Sequence, residues 1–96
     1  MSDAEAVPTV KVANTRVRVT EWRFAPGART GHHRHEFAYL VVPLTTGSLI
    51  ATSAAGETTN ALRTGEPYYR EAGVEHDVRN ANPFEFTFIE IELKGV

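Results

Sequence analysis

Four histidines are the residues of this chain whose type and spacing best suit metal chemistry. His32, His33 and His35 lie within four positions, and His76 lies far downstream in the segment GVEHDVRN. In a β-strand, residues two apart point to the same face, so His33 and His35 would project their imidazoles together, about 7 Å apart. Neutral imidazole is the commonest side-chain ligand of transition metals. His32 has the opposite parity and is expected to point away.

The same histidines also have simpler explanations. A histidine pair in a strand is often a surface feature, and a lone histidine such as His76 more often makes a structural hydrogen bond. Short motifs of this kind carry a high risk of false positives. A buried metal centre needs a further ligand from a distant strand, and His76 is the one remaining histidine. The metal hypothesis therefore requires a fold that brings His76 beside His33 and His35.

Length and composition restrict the class of protein. A chain of 96 residues is expected to form one domain over residues 1–96, with residues 1–6 as a flexible tail. The net charge of -2, without a basic stripe, argues against a nucleic-acid partner. The absence of cysteine excludes disulfides and thiolate ligands and fits a cytoplasmic location. The N-terminus does not resemble a signal peptide, and the apolar stretches are too short to cross a membrane.

Many short strands separated by turn residues predict an all-β barrel or sandwich. Strands are expected over residues 7–13, 16–24, 38–44, 48–53, 58–63, 68–70, 76–79 and 84–94, with the histidine pair on a strand that follows the turn at Pro26-Gly27. No segment of helical length has an apolar period of 3.6 residues. The histidine pair and His76 would thus lie on two different strands of one barrel.

The second of these strands carries apolar residues on both faces. Val17 and Val19 alternate with polar residues, which is typical of a strand with one face in solvent. Trp22 and Phe24 have the opposite parity. The pattern predicts either burial on both faces or a β-bulge that shifts the register.

The last strand shows a similar change of phase. Phe86 and Phe88 share one parity, whereas the apolar residues from Ile89 onward share the other. This pattern predicts a strand buried first on one face and then on the other. Glu90 and Glu92 are then expected to be exposed carboxylates of an edge strand. An inward Glu90 would instead be a candidate base or hydrogen-bond acceptor.

Two motifs give the chain a resemblance to the cupin family. The first cupin motif is G-x5-H-x-H-x3-E-x6-G. The chain matches it at Gly27, His33 and His35, carries Tyr39 where the family has glutamate, and places the closing Gly47 one residue late.

The second cupin motif is G-x5-P-x-G-x2-H-x3-N. The chain matches it at Gly65, Gly73, His76 and Asn80, with Glu71 in place of the proline. The resemblance implies an antiparallel jelly-roll barrel, also called a double-stranded β-helix. It also implies that His33, His35 and His76 are ligands of a divalent transition metal, namely Fe, Ni, Zn, Mn or Cu.

Tyr39 departs from the family pattern at the usual carboxylate ligand. A phenol with a pKa of about 10 is a poor metal ligand, so Tyr39 is expected to donate a hydrogen bond to a ligand on the metal or to pack in the core. The resulting three-histidine site has open positions and no protein carboxylate, which favours an anionic small-molecule ligand. Glu36 has the wrong parity to replace the missing carboxylate.

The resemblance leaves two classes of function open. Many cupins are metal-dependent enzymes such as dioxygenases or isomerases, and the chain is similar to short bacterial cupins associated with amino-acid degradation, including that of β-alanine. The alternative is a non-catalytic module that binds or senses a small carboxylate. A homodimer is expected in either case, with the strand near Val10 and Val12 or the strand from Phe84 at the interface.

Overall fold

The computed structural model describes residues 4–95, and this part of the chain contains strands and turns but no helix. The strands are β1 Val7–Ala13, β2 Val17–Phe24, β3 His33–Arg34, β4 Ala38–Pro43, β5 Gly47–Ser53, β6 Gly56–Leu62, β7 Tyr68–Arg70, β8 Glu75–Asn80 and β9 Phe86–Leu93. No helix in the described range could span a membrane.

The strands form two antiparallel sheets that enclose one core. One sheet has the order β1-β2-β9-β4-β7 and the other has the order β3-β8-β5-β6. Neighbours along the chain, such as β4 and β5, belong to different sheets, as in a jelly roll. The predicted all-β, antiparallel double-stranded β-helix is therefore confirmed. The assignment of residues 1–96 to a single domain stays a prediction.

Aromatic side chains fill one end of the barrel. Phe24 and Phe86 are fully buried, and the rings of Phe24 and Phe88 lie 5.5 Å apart between centroids. Leu49 and Leu62 of the four-stranded sheet are also buried in this core. Side-chain packing thus closes one end of the barrel and leaves the histidine end for a polar site.

The bulge considered for β2 is absent. Strand β2 pairs with β9 from Val17 to Phe24 without a break in register. Thr20 and Phe24 are buried, so the even-numbered residues face the interior and Val17 and Val19 lie on the outer face. The register irregularity of this sheet is in β1, between Val10 and Val12.

The predicted phase switch in β9 is wrong. Burial alternates along the whole strand, so Phe86, Phe88, Glu90 and Glu92 all face the interior. The prediction that both glutamates are exposed on an edge strand is also wrong, because β9 is the central strand of its sheet. The apolar residues from Ile89 onward lie on the outer face. Their parity therefore led to the wrong prediction that the buried face changes along the strand.

Gly47 has a steric reason to be glycine although it is one residue late in the motif. A Cβ atom at this position would lie 2.9 Å from the side-chain oxygen of Asn82. The Asn82 side chain accepts a hydrogen bond from Ser48 N (3.1 Å) and donates one to Ser48 O (2.8 Å). A larger residue at position 47 would displace this side chain and loosen the start of β5.

The N-terminal residues make backbone contacts where a flexible tail was expected. The Ala6 N–H donates to the Arg29 carbonyl at 2.9 Å, and the Arg29 N–H donates to the Ala4 carbonyl at 3.0 Å. Ala6 is buried against the core. The rest of the expected tail, residues 1–3, lies outside the described residues.

Candidate metal centre

The fold brings the three predicted histidines together. His33 in β3 lies directly opposite His76 in β8, and opposite residues of an antiparallel pair project to the same side. His35 follows β3 and stays beside the segment that leads into β8. Its N–H donates to Val74 O and its carbonyl accepts from Gly73 N, both at 2.8 Å. Gly73 has a φ of +97°, a conformation that favours glycine and lets the chain turn into β8.

The ring nitrogens of the three histidines converge on one point. Nε2 of His35 lies 3.0 Å from Nε2 of His33 and 3.1 Å from Nε2 of His76. Nitrogens this far apart can each lie about 2.1 Å from a shared octahedral ion, which is an ordinary metal–imidazole distance. The three residues form a group that could hold a metal ion.

The hydrogen bonds of His33 define its tautomer. Nδ1 of His33 lies 2.9 Å from the Gly31 carbonyl, which can only accept, so Nδ1 carries the proton. The lone pair of Nε2 therefore points at the other two histidines. Carbonyl-anchored imidazoles of this kind are typical of metal ligands, because the outer hydrogen bond fixes the ring.

Burial keeps the other two imidazoles neutral. It lowers the pKa of His35 to about 4, with a smaller contribution from His33 and His76 and an opposing one from Glu92. Burial also lowers the pKa of His76 to about 4, again reinforced by His33. Neither ring needs to lose a proton at pH 7 before it binds a metal ion.

The two neighbouring residues of the histidine segment stay outside the site, as their parity predicted. The His32 side chain is 67% exposed, and its Nε2 lies 3.4 Å from a Glu75 carboxylate oxygen. Glu36 is also exposed. Neither residue belongs to the histidine group, although Glu36 lines a second pocket together with His33 and His35.

Tyr39 faces the interior beside the histidines. Its ring stacks on His35, with centroids 3.9 Å apart and planes at 19°, and only 3% of the residue is exposed. Burial, with a smaller effect of Tyr68, raises the pKa of Tyr39 far above its ordinary value, so the phenol is neutral. Its position fits both the predicted packing role and the predicted hydrogen-bond donor.

The histidines line a cavity of about 190 Å³ inside the barrel. Its other walls include Tyr39, Tyr68, Arg70 and Glu90. The Arg70 guanidinium lies over the Tyr68 ring at 4.4 Å from the centroid. Sequence reasoning did not assign Arg70 to the site, although its position opposite Tyr39 in the β4–β7 ladder gives it the same orientation.

Two carboxyl groups of β9 project into the same interior. Glu92 forms two hydrogen bonds with Arg18, of 2.9 and 2.8 Å. Burial, together with Glu92, raises the pKa of Glu90 to about 7, and the Trp22 N–H and Arg18 only partly oppose this rise. Trp22 Nε1 is buried near this carboxyl, but the two groups lie outside the geometry of a full hydrogen bond in the described part of the chain.

Comparisons with known proteins agree with this fold. No family model matches the sequence. A cupin domain from Bordetella pertussis Tohama I is 50% identical, with a TM-score of 0.97 and coverage of 99% of both chains. A double-stranded β-helix protein from Klebsiella pneumoniae shares the fold, with 21% identity, a TM-score of 0.78 and coverage of 99% of this chain and 82% of that one. The chain belongs to the cupin family.

A curated relative has a name that is more specific than the family. The chain is 54% identical over 90 residues to the beta-alanine degradation protein BauB of Pseudomonas aeruginosa. The match covers 94% of this chain and 95% of the relative. The similarity to short cupins of amino-acid degradation, first indicated by the sequence, is thus confirmed.

Replacing His76 with alanine should remove most of the bound metal, because it takes away a ligand from the strand opposite His33. The matched change His32→Ala should leave one divalent ion per chain, since that ring points to solvent. Both variants can be loaded with Zn²⁺ or Fe²⁺, desalted and measured by elemental analysis. Full metal content in His76→Ala would disprove the three-histidine assignment.

Proposed function

We propose that the chain binds one divalent transition metal through His33, His35 and His76 and acts on, or binds, a small carboxylate of amino-acid degradation in the cytoplasm. The observation that carries this proposal is the convergence of three Nε2 atoms at the wall of a cavity inside the barrel. The name of the relative from Pseudomonas aeruginosa, a beta-alanine degradation protein, supports the substrate class. The metal is Fe, Ni, Zn, Mn or Cu, since three imidazoles accept each of them.

The metal ion would supply Lewis-acid chemistry, and redox chemistry if it is iron or copper, at the positions that the protein leaves open. The protein residues around it do the rest. Arg70 places a cation at the cavity wall and favours entry of an anion. Tyr39 offers a phenolic O–H as a hydrogen-bond donor to the bound acid. The cavity holds only a few heavy atoms and so selects small ligands.

The site suits a metal-dependent enzyme, such as a dioxygenase or isomerase, better than a passive binding module. The support is Glu90, a carboxyl group with a pKa near 7 that faces the cavity and can accept a proton. A non-catalytic module that binds or senses a carboxylate needs no such group. The cavity position of Glu90 therefore favours proton transfer during turnover.

Oxygen consumption separates these two functions. The anaerobically prepared Fe²⁺ protein should consume O₂ when small acids related to β-alanine are added, and His76→Ala should consume none. Proton NMR of the acid under anaerobic conditions would detect an isomerase instead. An acid that binds but is recovered unchanged in both experiments would identify a binding module and contradict the enzyme proposal.

Changing Tyr39 should separate its roles at the metal and at the acid. Tyr39→Phe keeps the ring that stacks on His35, so metal affinity should stay nearly intact, whereas the acid should bind about 0.5–1.5 kcal/mol more weakly. Tyr39→Glu restores the family carboxylate and should tighten metal binding while it weakens acid binding. Isothermal titration with metal and then with propanoate measures both effects. Loss of the metal in Tyr39→Phe would mean that the tyrosine is itself a ligand.

A second copy of the chain would cover the outer face of the five-stranded sheet. This face is apolar along β4 and β9, and Val10, Val12 and Phe84 are exposed nearby. Glu21 and Arg23 of β2 form an ion pair with each other at its margin. A stable dimer buries about 800 Å² per partner, so the interface would include most of the sheet.

A charge in the middle of this face should separate the two copies. Ile91 lies on the outer side of the central strand β9, and Ile91→Lys places a charge there. Thr59 lies on the exposed strand β6 of the other sheet, so Thr59→Lys is the control. Light scattering at micromolar concentration should give a dimer mass for the wild type and for Thr59→Lys, and a monomer mass for Ile91→Lys. A monomeric wild type would contradict the proposed dimer.

A further inference from the structure

Glu90 is a buried carboxyl group on the wall that faces the histidines. It lies on the central strand β9 of the five-stranded sheet, whereas His33 and His76 lie on the four-stranded sheet. Only 7% of Glu90 is exposed, yet it lines the same cavity as the three histidines. A carboxyl group and a candidate metal centre thus face each other across one small chamber.

Two arginines, Arg18 and Arg70, lie near Glu90, but neither forms an ion pair with it in the described part of the chain. Its neighbours on the adjacent strands are Thr20 and Val41, neither of which carries charge. The nearby Arg18 is held by Glu92 through two hydrogen bonds. An unpaired buried carboxyl costs free energy unless a ligand supplies the missing partner.

The other surroundings of Glu90 suit a positively charged group. Trp22, Tyr68 and Phe88 line the cavity together with Glu90, and aromatic faces attract cations. The buried Trp22 N–H also lies in this wall and can donate to Glu90 once the carboxyl is ionised. Carboxylate and aromatic walls together form a site for a protonated amine.

We propose that Glu90 is a second anchor of the cavity and binds the protonated amine of a small amino acid whose carboxylate lies at the metal centre. This inference rests on the proposed function, because it takes the carboxylate end from that proposal. The two sheets of such a barrel lie about 10 Å apart, and side chains from both sides fill much of that gap. The remaining space suits an amino acid with a chain of about three carbons, with amine and carboxylate at opposite ends.

Three acids of equal chain length test the amine anchor directly. Propanoate, 3-hydroxypropanoate and 3-aminopropanoate differ only in the group at the far end, and Zn²⁺ allows binding without redox turnover. In isothermal titration of the Zn²⁺-loaded wild type, 3-aminopropanoate should bind about tenfold or more tightly than propanoate. In Glu90→Gln the ratio of the two affinities should fall to about one, whatever the affinity of the variant for propanoate itself.

Two control variants make the comparison specific. Glu57→Gln makes the same change of charge on the exposed β5–β6 hairpin and should keep the full amine preference. Glu90→Asp keeps a carboxylate but draws it back from the cavity by one methylene, so this variant should keep part of the amine preference. The zinc content of each variant confirms an intact site, so a folding defect in Glu90→Gln would leave Glu90→Asp to decide the question.

The possible outcomes separate this inference from the proposed function. Binding of propanoate without any amine preference in the wild type would overturn the Glu90 anchor alone. An amine preference that survives in Glu90→Gln would also overturn it, because the amine would then bind elsewhere, for example at the metal. Failure of all three acids to bind would overturn the proposed function and the anchor together.

Proton release gives an independent measure of the same contact. Glu90, with its pKa of about 7, is about half protonated at pH 7 and would ionise when an ammonium group binds. The charged and titratable groups that face it are Glu92 and Arg18, which pair with each other, Tyr39 and Tyr68, which stay neutral, and Arg70 and the metal-bound histidines.

Titration in two buffers of different ionisation enthalpy counts these protons. Binding of 3-aminopropanoate should release about half a proton from the Zn²⁺-loaded wild type and none from Glu90→Gln. Propanoate should release none from either protein. Equal release from the two proteins would overturn the assignment of Glu90.

Discussion

The pairing of His33 with His76 across strands β3 and β8 is the constraint on which the site depends. It joins the two motifs of the chain and places two imidazoles side by side. The far end of β8 is held by Asn80, which is fully buried and whose side-chain amide donates to the carbonyls of Phe24, Ala25 and Phe84. The second motif thus ends in a residue that fixes β8 to the loops around it. A shift of β8 by one residue would turn His76 to the other side of the sheet.

The sequence is sufficient to predict the fold and the histidine group, because both depend on local spacing. Strand parity separates His33 and His35 from His32, and the second motif identifies His76. The interior faces of β2 and β9 could not be predicted in this way. Both strands have apolar residues on the outer face, so alternation does not reveal which side is buried.

The same ambiguity left the orientation of Glu90 open between an exposed carboxylate and an inward base. A glutamate within an apolar strand is ordinarily exposed, and only the alternating burial along β9 shows that Glu90 faces the interior. Arg70 was missed for a related reason. Strand β7 has three residues, too few for a pattern, and the orientation of Arg70 follows only from its pairing with Tyr39.

The candidate metal centre and the Glu90 carboxyl face each other across the cavity, and Arg70 lies on the same sheet as Glu90. The usual cupin carboxylate would lie beside the metal, but position 39 carries a neutral phenol that stacks on His35. The carboxyl group that does face the cavity comes from Glu90 on β9, the strand next to that of Tyr39, and this sheet faces the one that carries His33 and His76. A metal ion held by three neutral imidazoles keeps its full positive charge. The metal ion and an ionised Glu90 would then face each other across a cavity of about 190 Å³. A small ligand with charges of both signs would therefore meet a complementary group at each end. A simple anion would meet only one.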